Sequence, residues 1–200
     1  MHRLGLAAGL GVAASLALTA MASASVTVKT RTVSYSISGK TGDQLLDAMD
    51  RHGPKHGFLT RAIAQTSYTI SWSIDWQEQA ARCRVADAQA ELAITYSYPR
   101  VASAISPALK RRWTRFMAGV RKHEETHGRI ARQMVNAAEK SIRGVTFKND
   151  PGCHRTQAEV TKRIGKIFVE YEGRQAAFDR NEHAEGGNVE HLVTRLGKAL

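Results

Sequence analysis

Residues 121–130 read RKHEETHGRI, and within them His123, Glu124 and His127 form the pattern H-E-x-x-H. On an α-helix, residues four apart point the same way, about one turn of ~5.4 Å from each other. Both imidazoles can therefore reach a single Zn²⁺. Glu124 lies ~100° round the helix and can address a water beside that metal without ligating it. The chemistry expected of such a set is hydrolysis by a metal-activated water, with glutamate as general base.

A catalytic zinc site takes three protein ligands and leaves one position for water. The extended pattern H-E-x-x-H-x-x-G-x-x-H is absent, because Ile130 and Gln133 stand at its last two fixed positions. Glu139 lies twelve residues past His127, which is ~18 Å along a helix and too far to share the metal. The third ligand must come from beyond the motif helix. The residues able to supply it are His154, Glu170, Glu172, Asp179, Glu182, His183 and His191.

The elements that must position these groups are visible as patterns. Ser106-Pro107 is an N-cap and N1 pair. From there Leu109, Trp113, Phe116, Met117, Val120, Ile130, Met134 and Ala138 recur at three- and four-residue spacing. His123 and His127 fall on that apolar stripe, where a buried imidazole needs a metal or a hydrogen-bond partner. Gly128 costs roughly 1 kcal/mol in a helix interior, which implies that another segment packs close there. Residues 155–179 read as a second helix, and the tail holds a last turn or two. Upstream, Tyr68, Ile70, Trp72, Ile74 and Trp76 alternate with polar residues. Ala86, Ala88, Ala90, Leu92, Ile94, Tyr96 and Tyr98 do the same, so these two strands are expected to pair antiparallel. Residues 26–38 are β-rich, with a phase shift between Val28 and Val33 that suggests a bulge or an edge strand. Thr41 with Gln44 is a capping-box start for a short helix that stops at Gly53-Pro54.

The N-terminus carries Arg3, an apolar run from Leu4 to Thr19, and the small-x-small triplet Ala22-Ser23-Ala24. This is the pattern of a secretory signal peptide, removed after about residue 24. The run is shorter than the ~20 residues of a bilayer span, so no stable membrane insertion is expected after cleavage. The 200 residues hold 29 Lys and Arg against 18 Asp and Glu, a net charge of +11. Such a balance favours acidic partners, including the anionic polymers of a cell envelope. The basic residues are scattered without an aromatic platform, which argues against nucleic-acid binding. Two cysteines, Cys83 and Cys153, behind a secretory leader suggest one disulfide in an oxidising compartment. Their wide separation, with no C-x-x-C spacing, argues against a structural zinc site.

Taken in order, these segments resemble the DUF922 family, predicted secreted Zn-dependent proteases of Gram-negative bacteria. YSISGKTGDQLLDAM is similar to the family's opening strand-Gly-helix, and HGP to its Gly-Pro stop. Trp72 and CRVADAQAELAITYSYPR are similar to its central strands, and RRWTRFMAGVRKHEETHG to the helix running into H-E-x-x-H. The tail FDRNEHAEGG resembles a Tyr-Asp…His-Gly…Gly pattern, with Phe178 in place of tyrosine, Asp179 matching, and His183 as the histidine. It departs from that pattern in a spacing about one residue shorter, and in Ala184 where the family has glycine. The resemblance implies His183 as third zinc ligand.

The expectation is an α+β fold: a small antiparallel sheet packed against long helices, one of them a zincin-like H-E-x-x-H helix. Residues 1–24 are the signal peptide and 25–200 a single domain. The expected function is a secreted or periplasmic zinc metallopeptidase. In it His123, His127 and His183 hold Zn²⁺, Glu124 is the general base, and Asp179 orients a ligand imidazole. Its partner is a polypeptide or a cell-envelope polymer. The alternatives are a zinc amidase or hydrolase acting on that polymer, and a non-catalytic envelope-binding domain.

Overall fold

The computed structural model describes residues 26–56 and 60–198; the expected signal peptide, residues 1–24, lies outside the described residues. The elements run β1 (Val26–Ile37), α1 (Gly42–His52), β2 (Lys55–His56), β3 (Thr60–Arg61), β4 (Gln65–Gln79), β5 (Arg82–Val101), α2 (Pro107–Ile142), β6 (Thr146–Lys148), α3 (His154–His183) and α4 (Asn188–Gly197). A small open sheet packs against helices, as an α+β reading requires. Among the described residues, no helix is long and apolar enough to cross a membrane.

β4 and β5 form the long antiparallel hairpin, in register from Gln65↔Ser97 to Gln79↔Arg82. Its two-residue turn, Ala80-Ala81, has positive φ at both positions, 49° and 58°. That handedness matches the twist of the flanking strands. The register slips between Asp75 and Trp76, so that Asp75 pairs with Asp87 and Trp76 with Val85. Ala86 is the residue left over. This bulge corrects the expected face: Ala86 is exposed, while Val85 and Cys83 turn inward.

The sheet is not wholly antiparallel. β1 pairs parallel to β5, from Val26↔Ala90 to Ile37↔Val101, and the strand order is β1-β5-β4. The cause is the hairpin. β4 occupies one flank of β5, so β1 takes the other, and α1 with the small β2–β3 hairpin forms the crossover that a parallel pair needs. β1 is an edge strand, as its broken apolar phase suggests. β6 pairs beside Arg82–Arg84 of β5, beyond the reach of β1.

One sheet face is covered by helices. Leu92 and Ile94 of β5 pack with Leu45, Met49, Phe116, Val120 and Val135 in the main core. Each such buried aliphatic or aromatic side chain contributes about 1.5–3 kcal/mol. Val85, Ala88, Ile142, Val145 and Val160 make a second cluster at the far end. α1 starts at Thr41, whose hydroxyl accepts from Gln44 N, while the Gln44 side chain caps Lys40 N. α2 starts at Ser106, whose hydroxyl accepts from Leu109 N. α4 lies against α2 at Gly119, where an added Cβ would stand 2.4 Å from Leu192.

α2 and α3 run antiparallel. Arg163 Nη1 donates to the Ser141 carbonyl at 2.9 Å, and Gln175 Nε2 to the His127 carbonyl at 3.2 Å. Cys83 and Cys153 form the expected disulfide, 70 residues apart in sequence, and it anchors the start of α3 to β5.

Candidate metal centre

The motif histidines lie midway along α2, on the side facing α3 and the sheet. His123 is 8 % exposed and Glu124 6 %. Gly128 explains how the helix sits so low: a Cβ there would stand 2.0 Å from the Tyr96 hydroxyl of β5. The expected close neighbour is therefore a tyrosine from the central strand.

Three atoms converge from the two helices. His127 Nε2 is 3.1 Å from His123 Nε2. Asp179 Oδ1, from α3, is 2.9 Å from His127 Nε2 and 3.3 Å from His123 Nε2. Ligand atoms 2.0–2.1 Å from a tetrahedral Zn²⁺ stand about 3.3 Å from one another, so the triangle is of the right size. His183, one turn beyond Asp179, adds a fourth donor. Ligand atoms of His123, Asp179 and His183 all lie within 4.8 Å of each other.

Proton positions support the same centre. Gln175 Nε2 donates to the His127 carbonyl, which turns Gln175 Oε1 toward His127 Nδ1 at 2.6 Å. In the neutral ring Nδ1 carries the proton and donates it, and the Nε2 lone pair points at the convergence. His123 Nδ1 is buried without a hydrogen-bond partner; the nearest carboxylate oxygen is Glu182 Oε2 at 3.6 Å. Burial, helped by the adjacent His127, holds the His123 imidazole below its ordinary range against the pull of Asp179 and Glu182. A neutral imidazole is the form that ligates a metal. Two lone pairs and a carboxylate oxygen aimed at one point repel unless a cation lies between them, so these residues fit a metal ion. Two or three imidazoles with one carboxylate suit Zn²⁺ in particular.

Glu124 is held separately. Thr66 of β4 donates its hydroxyl to Glu124 Oε2 at 2.7 Å. Burial pushes the Glu124 carboxyl up, with Thr66 and His127 opposing. Phe178 walls the centre, stacked on His123 at 4.9 Å and edge-on to His127 at 5.1 Å.

Of the expected ligand candidates, α3 brings Asp179, Glu182 and His183 to the motif. The others go elsewhere. Glu170 pairs with Arg174, Glu172 accepts from the Tyr68 hydroxyl, and His191 pairs with Glu190 on α4. His154 opens α3 at its opposite end, ~37 Å from Asp179 by helical rise. Asp179 touches the same nitrogens that face the convergence, whereas an orienting role places it behind a ring. The residue behind His127 is Gln175. Gln175 and Thr66 were not singled out from sequence. Gln175, Asp179 and His183 recur every four residues, a step that matches His123–His127 and was a readable signal; Thr66 had none.

No curated protein and no solved structure gives a significant match to the chain. Residues 32–187 of the 200 match the family described as "Bacterial protein of unknown function (DUF922)", and the chain belongs to that family.

Proposed function

We propose that this protein is a zinc-dependent hydrolase of peptide bonds, working in the periplasm or outside the cell. The observation that carries this reading is the convergence of His123 Nε2, His127 Nε2 and Asp179 Oδ1 at 2.9–3.3 Å beside a buried glutamate. His123, His127 and Asp179 would hold the ion, with His183 within reach as a further ligand. When bound, Zn²⁺ supplies Lewis acidity toward water and a substrate carbonyl. Gln175 fixes the His127 tautomer, and Glu182 stands behind the Nδ1 of His123. Glu124 takes a proton from the attacking water and returns it to the leaving amine, and burial, by raising its carboxyl pKa, makes it a stronger base than an exposed glutamate. Thr66 keeps that carboxylate in one rotamer. The disulfide and the bacterial family agree with an exported protein.

Two other readings rest on specific observations. The net charge of +11 suits an amide in an anionic envelope polymer as substrate. A His127 protonated on both nitrogens would bridge Gln175 and Asp179 without any metal, as in a non-catalytic domain. Fluorogenic peptides and purified peptidoglycan, given to the native protein and to Glu124→Gln, separate the three. The proposal expects peptide cleavage by the native protein, and its loss in the variant with zinc retained. Release from peptidoglycan alone moves the substrate to the polymer. No turnover of either by zinc-loaded protein leaves the binding domain.

A further inference from the structure

We propose that the groove between β1 and the first half of α2 binds an extended acidic polypeptide, which adds as a strand to the free edge of β1. As a binding site it stands without the hydrolase reading above.

Among the described residues β1 pairs only with β5, so its outer edge offers twelve residues of backbone without a partner strand among them. Natural edges of that length are usually covered or charged. The first half of β1 carries Lys29, paired with Glu91, and Arg31, but Thr32 to Ile37 hold no charge, and Val28 and Val33 are 37 % and 39 % exposed. The helix layer leaves Thr30, Thr32 and Ser34 exposed too, although they share the face of buried Ile94, Tyr96 and Tyr98 on β5. Thr32, Val33 and Ser34 of this uncovered strip form one side of a groove of about 960 Å³, with Tyr98 to Val101 of β5 beneath it and α2 as the other side. A groove flanked by a free strand edge selects an extended backbone, because strand addition supplies the hydrogen bonds.

Charge selects the side chains. Arg100, Lys110 and Arg121 line the groove, and no carboxylate does. Among the described residues none of the three is in an ion pair; Arg100 Nη2 donates to Ser36 at 2.9 Å, and Arg121 stacks on the Tyr98 ring at 4.5 Å. Glu125, one turn beyond Arg121, forms no ion pair with it. The groove and the candidate metal centre lie on opposite flanks of α2, the groove toward β1 and the centre toward β4 and α3, with two buried tyrosines packed between them. Tyr98 stacks with Tyr96, and the Tyr96 hydroxyl lies against Gly128, the neighbour of His127.

The test is fluorescence anisotropy on the full mature chain carrying Glu124→Gln, so that the probe is not consumed, with and without EDTA. The probe is a labelled Glu-Thr repeat octapeptide. The comparators are its Gln-Thr counterpart, an alternately N-methylated copy, and dextran sulfate. Binding about tenfold tighter than the Gln-Thr peptide is expected, with a similar loss on adding Arg100→Gln and Arg121→Gln. N-methylation should weaken it as much, and EDTA should leave it unchanged. Lys110→Gln alone, at an exposed position, should give a smaller loss. Equal binding of the Gln-Thr or N-methylated peptide, no loss in the groove variants, or dextran sulfate binding as tightly as the peptide would overturn the proposal. Loss of peptide binding would overturn the groove and leave the hydrolase reading untouched; absence of turnover on the fluorogenic peptides by zinc-loaded protein would do the reverse.

Discussion

The two ends of the α2–α3 hairpin hold the helices together in different ways. At the start of α3 the buried polar side chains are answered. Buried Asp150 accepts from Arg155 N, Thr156 N and the Thr156 hydroxyl, at 2.9, 2.9 and 2.6 Å. The Cys83–Cys153 bond closes that end, and the second apolar cluster fills it. At the other end, acceptor is set against acceptor. His123 Nε2, His127 Nε2 and Asp179 Oδ1 crowd together, and His123 Nδ1 has no hydrogen-bond partner. One end is built for stability alone. The other brings together two imidazole nitrogens and a carboxylate oxygen that need a cation or a shared proton between them, and it stands beside a buried glutamate whose ionisation burial opposes. The contrast is the reason the proposed function is placed at the second end.

The strongest way to break the comparison is at Glu124. Glu124→Gln should lower kcat/KM by about 10²–10⁴-fold while bound zinc stays, measured by steady-state cleavage beside metal analysis. Its effect on stability has the opposite sign. Because the folded-state pKa is raised, the metal-free protein loses stability as pH rises past the ordinary value of 4.5 and through the folded value. The chelated variant should therefore melt higher than chelated native protein at pH 7, and a lower midpoint would contradict the burial argument.

The disulfide end should answer differently. Cys83→Ser with Cys153→Ser should cost about 2–5 kcal/mol in urea unfolding. Zinc stoichiometry in the folded fraction should not change, since Cys153 and Asp179 are ~39 Å apart along α3. Gln175→Leu sharpens the contrast: it should weaken zinc by about 10–100-fold in a competition titration, through the lost His127 tautomer. Its thermal midpoint without metal should move little. The smallest effect lies far from both ends. Ala81→Gly relieves a left-handed alanine in the β4–β5 turn and should add about 0.5–1 kcal/mol, read from the same urea curves.

Much of this frame was legible in the chain. The alternation of Tyr68 to Trp76, the Ser106-Pro107 start of α2 and the capping residue Thr41 are local signals, and the structure follows them. The cysteine pairing followed from there being two cysteines behind a stretch that reads as an export signal. The parallel seating of β1 was not legible, because either neighbour of β5 satisfies the same apolar pattern. The bulge at Ala86 was hidden because alanine fits either face of a strand. H-E-x-x-H announced one half of the candidate centre, since both histidines lie on one helix. The other half depends on how far α3 slides along α2, which is set by tertiary packing. Asp179, Glu182 and His183 could be gathered as candidates, but the order in which they approach His123 and His127 could not. Thr66 reaches Glu124 only because β4 lies under that turn of α2.

The central claim is that a zinc ion belongs among His123, His127 and Asp179. The most direct measurement is metal content by mass spectrometry on the mature protein after gentle purification and zinc resupply, beside His127→Ala, Asp179→Ala and His183→Ala. The account predicts near one zinc per chain in the native protein, its loss in His127→Ala and Asp179→Ala, and partial retention in His183→Ala. Native protein that takes up no zinc, with His127 and Asp179 joined by a proton instead, would contradict it.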